Sequence, residues 1–326
     1  MDSGMASIRI KVQGDQAAVY HCMSRIVGKE HLLGAREREV FRRMIRKIAD
    51  FCGVGVLTYA VMSNHFHVLV GVPGKVEIDD AELVRRVGGL YGEEVARAVE
   101  GGLRGEDAES IRREYLQRMG DLSVFIKLLK QRFSIWYNRN NGRVGTLWSE
   151  RFKSVLVEGS GRALRTVAAY IDLNAVRAGY CSDPKDYRFC GYGEACGGGI
   201  EAREGLRLIM ERSKQAGWRG AGREYRMILF GKGYYTQLEK EGGIGYEQFK
   251  QVRQRKGRLP LADALRCRVK YFSEGTILGS REFVEKRFLE HRERFGPNRV
   301  SGARAMRGVE WDGLCTARDL RKDVFG

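Results

Sequence analysis

Residues 59–70 read YAVMSNHFHVLV. Two strand-like runs meet there, Val54 to Met62 and His65 to Val72, with only Ser63 and Asn64 between them. Two residues is the length of a tight hairpin connection, and Asn tolerates the dihedrals such a turn demands. In the second run, alternate residues face the same side, so His65 and His67 project together while Phe66 enters the opposite, apolar side. Two neutral imidazoles so close are suited to a divalent metal. They equally suit two satisfied histidines of a sheet, and the tripeptide alone leaves both readings open.

Working outward, Ala17 to Arg25 reads as a short strand. From Ala35 to Phe51, the residues Val40, Phe41, Met44, Ile45 and Ile48 recur at three- and four-residue spacing, the mark of an amphipathic helix. Pro73-Gly74 ends the hairpin, and the charged, Gly-interrupted stretch from Ile78 to Met119 reads as inserted helices. Asp121 to Asn140 is a helix with Asp121 as N-cap and an apolar stripe of Phe125, Leu128, Leu129, Phe133 and Trp136. Gly142 stands where that helix should stop. Phe152 to Val157 is another strand, and Arg162 to Ala178 another helix, closed by Gly179. Strand, helix, strand, strand, helix, strand, helix predicts an α+β fold: an antiparallel sheet covered by helices, in the ferredoxin-like or RNA-recognition style.

The glycine-rich break GYGEACGGG at 191–199 suggests a boundary. The expected organisation is a first domain over 1–190 with a helical insertion at about 75–120, a linker and helical connector over 191–249, and a basic, mostly helical region over 250–326. That last region holds 19 Lys and Arg against 10 Asp and Glu. Helices are expected near Leu261 to Phe272 and Ser280 to Phe295. Arg266, Arg268 and Lys270 on the first invite a helix-turn-helix reading, although the joining SEGTILG is longer than the usual turn.

The chain has 326 residues with a hydrophobic fraction of 43% and a formal net charge of +17. Such a surplus of guanidinium and ammonium groups attracts polyanions, so nucleic acid leads the partner classes. Small-molecule and membrane partners are not expected. No apolar run reaches ~18 residues, and Met1 to Ile10 lack the pattern of a secretory leader, so the expected address is the cytoplasm. Seven Cys without a CxxC pair read as reduced thiols rather than a zinc site. The five His are at 21, 31, 65, 67 and 291, so any imidazole site must draw on these.

Two further stretches carry chemistry. In AYIDLN at 169–174, Tyr170 and Asn174 lie four apart, on one helical face. A phenol can attack phosphorus and an amide oxygen can complete a metal shell, while the plainer reading is a core anchor and a surface Asn. In GTLWSERFKS at 145–154, a flat aromatic, cations and hydroxyls suit phosphate contacts and base stacking, or else a helix-to-strand connection with a buried Trp.

Taken in order, YHCMSR at 20–25, YAVMSNHFHVLV at 59–70, GTLWSERFKSVLVE at 145–158 and AAYIDLNAVRAGY at 168–180 resemble the REP-associated tyrosine transposases. These are relatives of the insertion-sequence transposases with a His-hydrophobic-His (HUH) motif. The resemblance covers roughly residues 17–190, apart from 75–120. It implies the HUH nuclease fold, His65 and His67 as metal ligands with Asn174 as the third, and Tyr170 as the nucleophile. It implies a divalent cofactor, Mg²⁺ or Mn²⁺, and cleavage of single-stranded, hairpin-bearing DNA through a 5′-phosphotyrosine that a later 3′-hydroxyl can reverse. Arg25, Arg151, Lys153 and Arg177 are then candidate phosphate contacts and Trp148 a stacking platform. His21 would either brace a ligand or serve as a structural polar residue of the sheet. The family commonly has Asn-Pro-Val-Arg where this chain has Asn174-Ala175-Val176-Arg177, and Pro where it has Ser63. A monomer and a homodimer with Tyr170 acting in trans both fit. A different class fits too: a hairpin-binding protein that keeps the fold without turnover. An RNA-binding module is disfavoured by the paired His and the lack of an RNP-type aromatic run.

Overall fold

A computed structural model describes residues 10–12, 16–213, 215, 217–230, 261–309 and 311–318. The fold is mixed α+β, with a seven-stranded, mostly antiparallel sheet, as the order of elements predicts. The chain forms two compact units, one from residues 12–56 and 61–152, the other from 1–11, 57–60 and 153–326.

In the first unit, β1 (Ala18–Arg25) leads into α1 (Ala35–Cys52). Gly53 stops α1 in the left-handed region at φ 64°, its N–H returning to the carbonyls of Ala49 and Asp50. The hairpin follows, from β2 (Gly55–Val61), whose centre belongs to the other unit, to β3 (His65–Val72). Met62 N–H donates to the His65 carbonyl at 2.8 Å, closing the hairpin around Ser63 and Asn64. β3 runs antiparallel to β1 in a register that sets Val72 opposite Ala18 and His65 opposite Arg25.

The insertion is three helices, α2 (Asp80–Tyr91), α3 (Glu93–Gly102) and α4 (Ala108–Leu116). The longer α5 (Leu122–Asn140) begins where Asp121 accepts from Val124 N–H at 2.8 Å. The apolar stripes of α1 and α5 meet the sheet face that carries Phe66. Phe41 lies at the centre, with ring centroids 4.9 Å from Phe66, 4.7 Å from Phe133 and 5.8 Å from Trp148.

In the second unit, β4 (Lys153–Val157) precedes α6 (Gly161–Asp172) and the single turn α7 (Asn174–Arg177). One uninterrupted helix over 162–178 is therefore not formed: Leu173, at φ −76° and ψ 0°, separates the two pieces. After them come α8 (Gly191–Cys196), α9 (Ile200–Ile209), α10 (Gly217–Phe230), α11 (Leu261–Arg266) and α12 (Tyr271–Glu274). The unit ends with β5 (Ile277–Gly279), α13 (Arg281–Glu290), β6 (Arg304–Ala305) and β7 (Cys315–Thr316).

Two expectations are corrected here. The glycines at 191–199 do not mark a linker. A Cβ on Gly191 would come 2.1 Å from the Thr58 hydroxyl oxygen, and one on Gly193 2.1 Å from the Tyr187 carbonyl, so these glycines permit close packing of α8. SEGTILG is not a turn between DNA-reading helices either. It contains β5, which pairs parallel to β4 (Leu156 with Ile277) and antiparallel to β7, and β7 in turn pairs with β6. Parts of the expected connector and basic region, 231–249, 250–260 and 319–326, lie outside the described residues.

Phe41→Ala empties the middle of the aromatic cluster. The expected cost is about 3–5 kcal/mol of folding stability, measured as a lowered urea midpoint at constant slope. A loss under about 1 kcal/mol would show that the cluster is not the core of its unit.

Candidate functional site

The register of β1 and β3 builds one surface. Arg25 stands opposite His65 and Met23 opposite His67, with His21 two residues further along the same face. The His65 and His67 rings lie 5.2 Å apart between centroids, nearly perpendicular at 84°. His67 is stacked on His21 at 5.0 Å, and its Nδ1 faces His21 Nε2 at 2.8 Å. His65 Nδ1 faces Asn64 Oδ1 at 2.6 Å. Both candidate ligands thus have Nδ1 engaged by a neighbour, so Nε2 is the nitrogen each would offer to a cation. His21 is fully buried with its ring against that of His67, a placement that fits a residue bracing a ligand and a structural polar residue of the sheet alike.

The donor set is compatible with a hard or borderline cation provided oxygen ligands join the two imidazoles. Among the described residues, no group of three or more His, Cys, Asp and Glu could hold a metal by itself. Amide, water or phosphate oxygens would have to complete the shell.

Tyr170 belongs to the second unit. It is 3% exposed, with the Phe272 ring 4.5 Å away and the Arg177 guanidinium 4.0 Å from its ring centroid. Arg177 also donates to the Tyr170 carbonyl at 2.9 Å and to the Leu265 carbonyl at 2.5 Å. Burial holds Arg177 below the ordinary guanidinium value, with Tyr170 and Cys267 pulling the other way. Asn174 is buried, and its Nδ2 donates to the Ile171 carbonyl at 3.1 Å and the Tyr170 carbonyl at 3.4 Å. Its amide oxygen is the atom left to serve as a ligand.

Asp172, which the sequence reading passed over, is fully buried between these two residues of the chain. It accepts from the Thr58 hydroxyl at 3.0 and 3.1 Å, from the Tyr225 hydroxyl at 2.5 Å and from Tyr192 N–H at 2.9 Å. Desolvation outweighs those donors and raises its carboxyl from 3.8 to about 6. The available signal was an acidic residue within an otherwise apolar helical stretch.

The expected DNA contacts divide. Trp148 is corrected: it is buried against Phe41, Phe66 and Phe133, and its indole N–H donates to the Lys130 carbonyl at 3.1 Å, so no face is open to a base. Arg177 is likewise spent on backbone carbonyls and a ring. Arg151 is exposed, and Arg25 and Lys153 are partly so.

Residues 16–100 match the family model described as "Transposase IS200 like". The matched stretch contains His21, His65 and His67 and ends within α3. The solved structure described as "Structure of the REP associates tyrosine transposase bound to a REP hairpin" is similar at 15% identity with a TM-score of 0.39, covering 60% of this chain and 88% of that chain. No curated protein sequence matches.

Asp172 gives a signed pH dependence. A carboxyl whose folded value lies above its unfolded one supports folding fully below the unfolded value, and that support is lost as pH rises through the folded value. From pH 4 to about 6 the wild-type thermal midpoint is therefore expected to fall relative to Asp172→Asn. Parallel melting curves across that window check it; equal slopes would show that Asp172 ionises normally.

Proposed function

From the match of residues 16–100 to the model described as "Transposase IS200 like", we propose that the chain is a metal-dependent enzyme that nicks and rejoins single-stranded, hairpin-bearing DNA. The observation that carries the reading is the His65–His67 pair, side by side on one face of β3, inside the matched segment, with both Nδ1 atoms engaged. His65 and His67 would hold Mg²⁺ or Mn²⁺, with Asn174 as a third protein ligand, and the bound cation would polarise a non-bridging oxygen of the scissile phosphate.

Tyr170 is the nucleophile in this reading. Its hydroxyl oxygen attacks phosphorus in line and loses its proton. The bond from phosphorus to the 3′-oxygen breaks, and that oxygen leaves protonated as a 3′-hydroxyl. The 5′-phosphate remains esterified to Tyr170. Because the ester keeps the bond energy, a second 3′-hydroxyl reverses the step and joins strands without a nucleotide cofactor. Arg177, on the ring and on the Tyr170 carbonyl, holds the phenol in one orientation. Arg25, across from His65, is placed to meet a phosphate, and Arg151 and Lys153 add positive charge. The hairpin preference follows from the sequence resemblance.

One observation favours a second reading. Tyr170 is buried beneath Phe272 and Arg177, as expected of a hairpin-binding protein that does not turn over. Attack requires the phenol to become accessible; binding does not.

Incubation with labelled hairpin-bearing single strands, with Mn²⁺ or with chelator, separates the two. The enzyme forms a protease-sensitive covalent adduct that vanishes with chelator and in His65→Ala, His67→Ala and Tyr170→Phe. Tyr170→Phe should still bind the hairpin within about twofold of wild type, since a single hydroxyl is lost. Retained binding with no adduct from any hairpin establishes the second reading.

A further inference from the structure

The hairpin tip is held by the loop that follows β1. Val27 to Lys29 form a short 3₁₀ turn in which Gly28 (φ 64°) and Lys29 (φ 61°) both adopt left-handed backbone. Side chains rarely tolerate that region, and Lys29 is there nonetheless. The turn is bonded to the hairpin: Ile26 N–H donates to the Asn64 carbonyl and Leu33 N–H to the Ser63 carbonyl, both at 2.8 Å. Its effect is to bring the Lys29 carbonyl to the Asn64 side chain, which donates to it at 3.0 Å.

A backbone carbonyl can only accept, so it selects the nitrogen end of the Asn64 amide. The oxygen end must then face His65, and it does, 2.6 Å from Nδ1. An amide oxygen also can only accept. The proton of a neutral His65 is therefore fixed on Nδ1, and its lone pair is on Nε2. The second amide hydrogen of Asn64 is directed to His31 Nε2 at 3.4 Å, which leaves His31 Nδ1 as the donor to the Ser63 hydroxyl at 2.5 Å. Every donor meets an acceptor along this path. His67 differs: its Nδ1 faces His21 Nε2, and an imidazole nitrogen can play either part.

We infer that Asn64, pinned by the Lys29 carbonyl, is a positioning residue that sets the tautomer of His65 and makes its Nε2 a metal donor. The metal part rests on the function proposed above; the tautomer does not. Partners of this kind on ligand histidines typically govern about 10- to 100-fold in metal affinity.

The test begins with nitrogen-15 NMR of the metal-free, full-length protein. His65 should be the Nδ1–H form in wild type and should shift toward Nε2–H in Asn64→Ala. The same variant should bind Mn²⁺ about 10- to 100-fold more weakly by titration of the free ion. Asn64→Asp keeps an acceptor at Nδ1 but cannot donate to the Lys29 carbonyl, so it should recover the tautomer and the affinity only in part; a merely structural Asn64 would show no tautomer shift in Asn64→Ala. An Nε2–H His65 in wild type overturns the inference, and this reading stands even if a variant fails to fold. An unchanged tautomer and Mn²⁺ affinity in Asn64→Ala also overturn it. If wild type has the Nδ1–H form yet binds no Mn²⁺, the assignment of Asn64 is supported and the metal-dependent function falls.

Discussion

The register between β1 and β3 is the constraint from which the candidate metal face follows. A strand presents alternate residues to opposite faces, so a slip by one residue would exchange the two sets completely. Phe66 prevents that slip. Its ring is fully buried among Phe41 and Trp148, and moving it to the opposite face would empty the aromatic cluster and drive a polar imidazole into the apolar layer. The energy that fixes the histidines is thus mainly apolar and sits behind them. The same register brings His21 within 2.8 Å of His67 and Arg25 opposite His65, so both neighbours come with the strand pairing.

The second unit uses a buried charge where the first uses rings. Asp172 links α6 to β2 through Thr58, to α8 through Tyr192 N–H and to α10 through Tyr225. A buried carboxylate is a costly connector, as its raised pKa records, but removing any one donor would leave a lone pair unpaired in a dry interior. The direction of the hydrogen bonds therefore specifies the arrangement more sharply than an apolar residue of the same size. Tyr170 and Asn174 each lie two residues from this anchor, on either side. Their backbone positions inherit its rigidity.

What was legible in the sequence is what local spacing dictates. Alternation announced the hairpin and placed Phe66 opposite the histidines; three- and four-residue spacing announced α1 and α5; Asp121 announced its own cap. What was not legible depends on partners distant in sequence. Gly191 and Gly193 read as a linker because composition cannot show that Thr58 and the Tyr187 carbonyl press against them. For Trp148 a stacking platform and a buried connection stayed equally open because its neighbours, Phe41 and Phe133, lie on helices elsewhere in the chain. SEGTILG, with only Thr276 to Leu278 apolar or β-branched, is too short for alternation to register, and it becomes a strand because β4 is there to pair with it. Asn64 was read as a turn residue, which it is; its work on His65 depends on Lys29.

Guanidinium geometry also narrows where phosphate can be met. An Arg fork has a fixed set of N–H donors, and each one committed to a carbonyl is withdrawn from an incoming anion. Arg177 gives two to the carbonyls of Tyr170 and Leu265 while its plane lies on the Tyr170 ring, so its role is to tie the end of α6 to α11. Freeing it for a phosphate would strip two buried carbonyls of their donor, a larger loss than a solvent-screened contact returns. Arg25 has the opposite situation. It is partly exposed, at the end of β1 and directly across from His65, so an anion meeting it would also meet the candidate ligand face. The strand register thus sets this candidate phosphate contact beside the candidate metal ligands.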